Sequence, residues 1–138
     1  MGAAFNETKH ERAETNKRIS QVFPFWFCPA FNKAVQNDEP VPFDQHFLLA
    51  ASAPRYVLVA SAEDDLWADP ACEFESCVHS SPAFELYGCT GFVNDGDLDA
   101  RINKIYGDGH IGYHRRKGSH FLSREDWNFY MNFIKSKM

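Results

Sequence analysis

The 138 residues hold 14 Lys and Arg against 19 Asp and Glu, for a net charge of -5, and 44% of them are hydrophobic. That balance describes one soluble globular unit over residues 1–138 and excludes a disordered tail. It also excludes a nucleic-acid partner, because phosphate binding needs a basic face, and the one basic run, His114-Arg115-Arg116-Lys117, reads as a solvated loop.

No stretch reaches the roughly 18 apolar residues that span a membrane, so no membrane association is expected. The start, Met1-Gly2-Ala3-Ala4-Phe5-Asn6-Glu7, has no basic region followed by an apolar one, and no signal peptide is expected there. Cys28, Cys72, Cys77 and Cys89 lack zinc-site spacing. They read as buried free thiols or one disulfide, and no metal or other cofactor is called for.

In chain order, Glu7–Val22 is polar, with a surface helix expected around Ala13–Gln21. The aromatic cluster Phe23-Pro24-Phe25-Trp26-Phe27, with Phe31, reads as packing a loop onto a core. Asn37–Pro42 reads as a loop by its Pro and acidic content. Phe47–Ala51 is expected as a short helix capped by Asp44 and stopped by Pro54. Tyr56–Ala60 is an unbroken apolar run, the pattern of a strand buried on both faces.

Pro70 opens a helix to about Val78. A second short helix from Pro82 to Tyr87 ends at Gly88. Residues 91–109 read mostly as loop, and Ile111–His114 as a second strand. The final helix is capped by Ser123, with Asp126 three residues on, and Trp127, Tyr130, Met131 and Ile134 follow helical spacing.

One strong strand and one moderate strand cannot make the sheet these helices need to cover. Partner strands are therefore expected outside the chain, leaving one flank of the Tyr56–Ala60 strand unpaired. The fold class expected is α/β: the C-terminal portion of an α/β-hydrolase, the last strands and helices of a mainly parallel sheet, incomplete as a stand-alone fold. In that class the catalytic acid and histidine sit on loops beyond consecutive strand ends. Here those loops are Ser61-Ala62-Glu63-Asp64-Asp65 and Gly118-Ser119-His120.

Several segments, taken in order, resemble bacterial glucuronoyl esterases of carbohydrate esterase family fifteen. They are Phe23-Pro24-x-Trp26-Phe27-Cys28, Pro42-Phe43-Asp44-Gln45-His46 and Ala53-Pro54-Arg55, then Ser61-Ala62-Glu63-x-Asp65-x-Trp67-Ala68-Asp69-Pro70. Gly112-Tyr113-His114 and Gly118-x-His120-x-Leu122-x-x-x-Asp126-Trp127 complete the set. The resemblance implies a serine esterase cleaving the ester between glucuronic acid on xylan and an alcohol of lignin. Such enzymes are typically secreted or periplasmic.

By the same resemblance His120 is the general base and Asp65 the triad acid, with Glu63 and Asp64 as competitors; some family members instead draw the acid from the loop after the preceding strand, which would lie just before Met1 or near the start of this chain. Trp67 matches an aromatic that packs against the sugar, and Glu14 a glutamate that accepts hydrogen bonds from uronate hydroxyls. Two departures stand out: Ser119 where the family often has Gly, and Cys72 where it usually has Gly.

No G-x-S-x-G pattern occurs in the sequence. The nucleophile, its oxyanion hole and the cations for the uronate carboxylate are expected upstream of Met1, in an N-terminal half that would be the partner. The chain alone is expected to be inactive. An acetyl-xylan-type esterase fragment and a non-catalytic truncated or vestigial carbohydrate-binding protein stand as alternatives. His46 and His114 are read as structural.

Overall fold

Two parallel strands hold the architecture together. In a computed structural model, which describes residues 5–37, 39 and 41–138, Val57–Ala62 forms β1 and Ile111–Arg116 forms β3. Their register runs from Val57 opposite Ile111 to Ala62 opposite Arg116. A two-residue strand, β2 (Ile105–Tyr106), pairs antiparallel with β3 on its other side, so the order is β1-β3-β2. β1 is thus an edge strand, unpaired on one flank among the described residues, as its lack of neighbours in the sequence implied. It is not buried on both faces: Val57, Leu58 and Ala60 remain partly exposed.

Alternation along β3 assigns its side chains to two layers. Ile111 and Tyr113 face α4 (Pro70–Glu85) and join Val59, Phe74, Cys77, Phe84 and Tyr106 in the core. Phe74 meets Tyr113 and Tyr106 edge-on at 5.3 and 5.4 Å, geometry that the aromatic quadrupole favours. The opposite face of β3 carries Gly112, His114 and Arg116 toward α5 (Arg124–Ser136). Gly112 admits α5 closely: a Cβ there would stand 2.7 Å from Phe133 and 2.8 Å from Leu58.

α4 is one continuous helix, not two. Pro82 lies within it; the missing N–H removes one intrahelical bond, and the flanking turns bury Ser80 and Phe84 on the core side regardless. Asp69 caps α4 from a left-handed conformation (φ 53°). In α5 the buried face is Asp126, Phe129 and Phe133. Of the residues that follow helical spacing, Trp127, Met131 and Ile134 are 55%, 50% and 49% exposed, whereas Tyr130 is not among the exposed side chains.

The basic run is likewise corrected. β3 continues through His114 to Arg116, and both of those side chains are buried against Asp126, a carboxylate whose charge offsets the cost of burial.

The N-terminal part is helical. α1 (Asn16–Val22) starts later than expected because Thr15 caps it, its hydroxyl accepting from Arg18 N at 3.2 Å. A 3-10 turn (Pro24–Trp26) and α2 (Pro29–Gln36) follow; α2 went unforeseen because Val35 is its only buried residue. Trp26 stacks on Phe23 at 4.3 Å yet is largely exposed, so this cluster packs less onto a core than its composition implied. Within the loop expected at 37–42, Asp38 and Pro40 lie outside the described residues, as do Met1–Ala4. α3 (Gln45–Ala50) is capped by Asp44 as expected. All four cysteines are free thiols. No helix of the described residues is long and apolar enough to cross a membrane.

Candidate active site

Parallel pairing in this register ends β1 and β3 side by side, so the loops after them leave from the same edge. The ladder runs on into both loops: Glu63 N donates to Arg116 O at 2.8 Å and Asp64 N to Gly118 O at 3.0 Å. This joins the acidic loop to the histidine loop along their length. Asp65 and His120 meet as a result, with His120 Nδ1 2.7 Å from Asp65 Oδ2. Glu63 and Asp64 are exposed and make no such contact among the described residues, so of the three carboxylates Asp65 is the one that meets His120.

The ring of His120 is 87% exposed, whereas Asp65 is 13% exposed. A histidine that donates Nδ1–H to a carboxylate keeps its lone pair on Nε2, the form that accepts a proton. Beside the pair lies a cavity of about 240 Å³, lined by Ser61, Asp65, Glu73, Arg116, His120 and Tyr130 among others. Glu73 sits at its base, hydrogen-bonded by Ser61 Oγ. Burial pushes its carboxyl up to about 8; the Ser61 hydrogen bond opposes that rise, and the nearby Asp65 and Asp69 add to it.

Glu14 and Trp67 form a second pair. Asp69 accepts from Lys9 N at 2.6 Å and His10 N at 3.2 Å, which ties the N-terminal segment to the start of α4. Glu14 N then donates to Trp67 O at 2.9 Å. Glu14 is 4% exposed and precedes α1, so it is not an exposed helix residue. Burial pushes its carboxyl above the ordinary value, countered by a hydrogen bond from the Trp67 side chain and the charge of Arg18. Its Oε1 has no hydrogen-bond partner among the described residues. The Arg18 guanidinium lies 4.2 Å from the centre of the Trp67 ring. Neither Glu14 nor Trp67 lines the cavity beside the dyad; the two pairs are joined through the segment from Asp65 to Trp67.

Sequence reasoning placed Arg116 in a solvated loop and Asp126 at the start of the last helix, and missed that the two meet. Asp126 accepts from His114 Nε2 at 2.6 Å, Arg116 Nε at 2.9 Å and Ser123 N at 2.7 Å. Burial would raise its carboxyl, but hydrogen bonds from Ser123, Arg116 and His114 win and hold it at about 2. The available signals were the helix-start motif around Ser123 and a basic run directly following an apolar strand.

A parallel strand pair with an acid on one loop, a histidine on the next and helices on both faces has the form of an α/β-hydrolase of the esterase kind. The model of the family "Glucuronyl esterase, fungi" matches residues 2–88, more than half of the chain, and the chain belongs to the glucuronyl esterase family. A carbohydrate esterase, MZ0003, from an unknown prokaryotic organism is 37% identical over 141 residues, covering 99% of this chain and 31% of its own. The solved structure of a promiscuous CE15 esterase from the marine bacterial metagenome superposes with a TM-score of 0.83 at 36% identity, over 91% of this chain and 31% of that one. The glucuronoyl esterase from Solibacter usitatus gives 0.78 at 36% identity, over 88% and 30%. The chain therefore spans about a third of the length of the relatives it matches.

Proposed function

We propose that this chain supplies the acid and base of a serine carbohydrate esterase acting on glucuronate esters, of the kind that link xylan to lignin. The observation that carries the reading is the 2.7 Å contact between His120 Nδ1 and Asp65 Oδ2 at adjacent parallel strand ends. In the reaction, His120 Nε2 takes the proton of a serine hydroxyl as its oxygen attacks the ester carbonyl. The histidine then returns that proton to the leaving alcohol, while Asp65 holds the ring and its positive charge.

The serine comes from polypeptide outside these 138 residues. The unpaired flank of β1 and the half-exposed outer face of α5 are the surfaces that such a segment would cover. Glu14 and Trp67 bind the sugar: a buried carboxylate oxygen without a partner is satisfied by a sugar hydroxyl, and an indole packs against the sugar ring.

The test is a chimera in which this chain replaces the matching third of the Solibacter usitatus glucuronoyl esterase. Glu14→Ala and Trp67→Ala are expected to raise KM for a glucuronate benzyl ester roughly tenfold or more, without slowing hydrolysis of 4-nitrophenyl acetate. Equal losses on both substrates would sink the sugar-binding assignment.

A further inference from the structure

We infer that Arg116 is a positioning residue for the base, holding the main chain on both sides of His120 so that its exposed imidazole stays on Asp65; this rests on the dyad reading above. The guanidinium is buried, and its donors are divided between two elements. Nε goes to Asp126 Oδ2 at 2.9 Å, at the start of α5. Nη1 donates to Lys117 O at 3.0 Å, and Nη2 donates to Ser119 O at 3.3 Å and to Phe121 O. Three carbonyls of a five-residue loop thus converge on one side chain. The two bound by Nη2 belong to the residues immediately before and after His120.

The loop is shaped around that group. Gly118 takes φ +101°, and a Cβ there would stand 3.3 Å from Arg116 Nη1. The Phe121 ring covers the guanidinium at 4.3 Å. Meanwhile His120 has little packing of its own: its ring is 87% exposed, and among the described residues its side chain bonds only Asp65. An exposed side chain on an unsupported loop samples several rotamers, and a single exposed ionic hydrogen bond is too weak to choose among them. The choice is made through the main chain. Asp126 fixes Arg116, and Arg116 fixes the loop.

A planar fork with five donors is needed for this, and the ammonium of lysine cannot reproduce it. Ser119, where the family often has Gly, takes part only through its carbonyl, so its side chain leaves the arrangement intact.

The experiment uses the 15N-labelled chain and reads the His120 tautomer from long-range 1H–15N correlations above the titration of the ring. In the wild type the Nδ1–H form is expected to dominate, and Asp65→Asn to abolish that dominance. Arg116→Lys, with cooperative unfolding retained, is expected to abolish it as well. Dominance persisting in a folded Arg116→Lys chain overturns the proposal. A wild-type chain without the Nδ1–H form would instead sink the dyad reading, so the two failures are distinguishable. If Arg116→Lys does not fold, Gly118→Ala decides, because it strains the loop against the guanidinium and leaves the Asp126 pair in place. The same loss is expected from it, and an unchanged tautomer overturns the proposal.

Discussion

His120 and Asp65 lie 55 residues apart in sequence and 2.7 Å apart in space, on loops that leave adjacent parallel strands. The histidine of the pair is 87% exposed, and a contact with one partner in solvent contributes only about 0–1 kcal/mol to folding. His120→Ala and Asp65→Asn are therefore expected to shift urea-unfolding stability by less than about 1 kcal/mol at neutral pH. A loss above about 2 kcal/mol for His120→Ala would mean that the histidine is a structural residue.

Glu73 behaves differently. Its carboxyl is raised to about 8, chiefly by burial, from an ordinary value of 4.5. A carboxyl raised in this way contributes its stabilisation fully below pH 4.5 and loses it as pH rises through 8. Stability should fall between about pH 5 and 8 by an amount on the order of a few kcal/mol. Glu73→Gln should flatten that slope, as measured by urea midpoints across the range. An unchanged slope in the variant would show that Glu73 is ionised in the fold.

Asp126 sets the opposite acid limit. Because its carboxyl is held at about 2 against an ordinary 3.8, the stabilisation it brings is present above 3.8 and lost as pH falls toward 2. Asp126→Ala leaves the buried Arg116 guanidinium without its counter-charge and His114 without its hydrogen-bond partner, and is expected to cost about 3–5 kcal/mol. Ser123→Ala removes only one arm of the capping box and should cost about 1 kcal/mol. Equal costs measured by thermal unfolding would contradict the network.

How much of this was legible in the sequence depended on how local the signal was. The Asp44 and Ser123 caps, the apolar run of β1 and the two loops holding Asp65 and His120 are written in consecutive residues, and the structure has them there. What could not be read depends on contacts across the fold. β1 looks buried on both faces because apolar composition does not say which strand is at an edge. In α5, helical spacing fits Trp127, Met131 and Ile134 as well as Phe129 and Phe133, and only the approach of Gly112 decides that the second set faces the sheet. Pro82 looks like a boundary, but core packing by Phe84 carries the helix past it. Arg116 hides in a basic run because its partner, Asp126, is ten residues away on another element.

The most direct measurement is hydrolysis of a glucuronate benzyl ester by this chain mixed with a separately expressed N-terminal portion of a family esterase that carries the serine. Neither part alone is expected to turn over substrate. The mixture should, and His120→Ala in this chain should reduce that rate by about 10⁴-fold or more. A mixture whose rate is indifferent to His120→Ala, or a stable complex of the two parts with no activity, would contradict the assignment of this chain as the source of the catalytic acid and base.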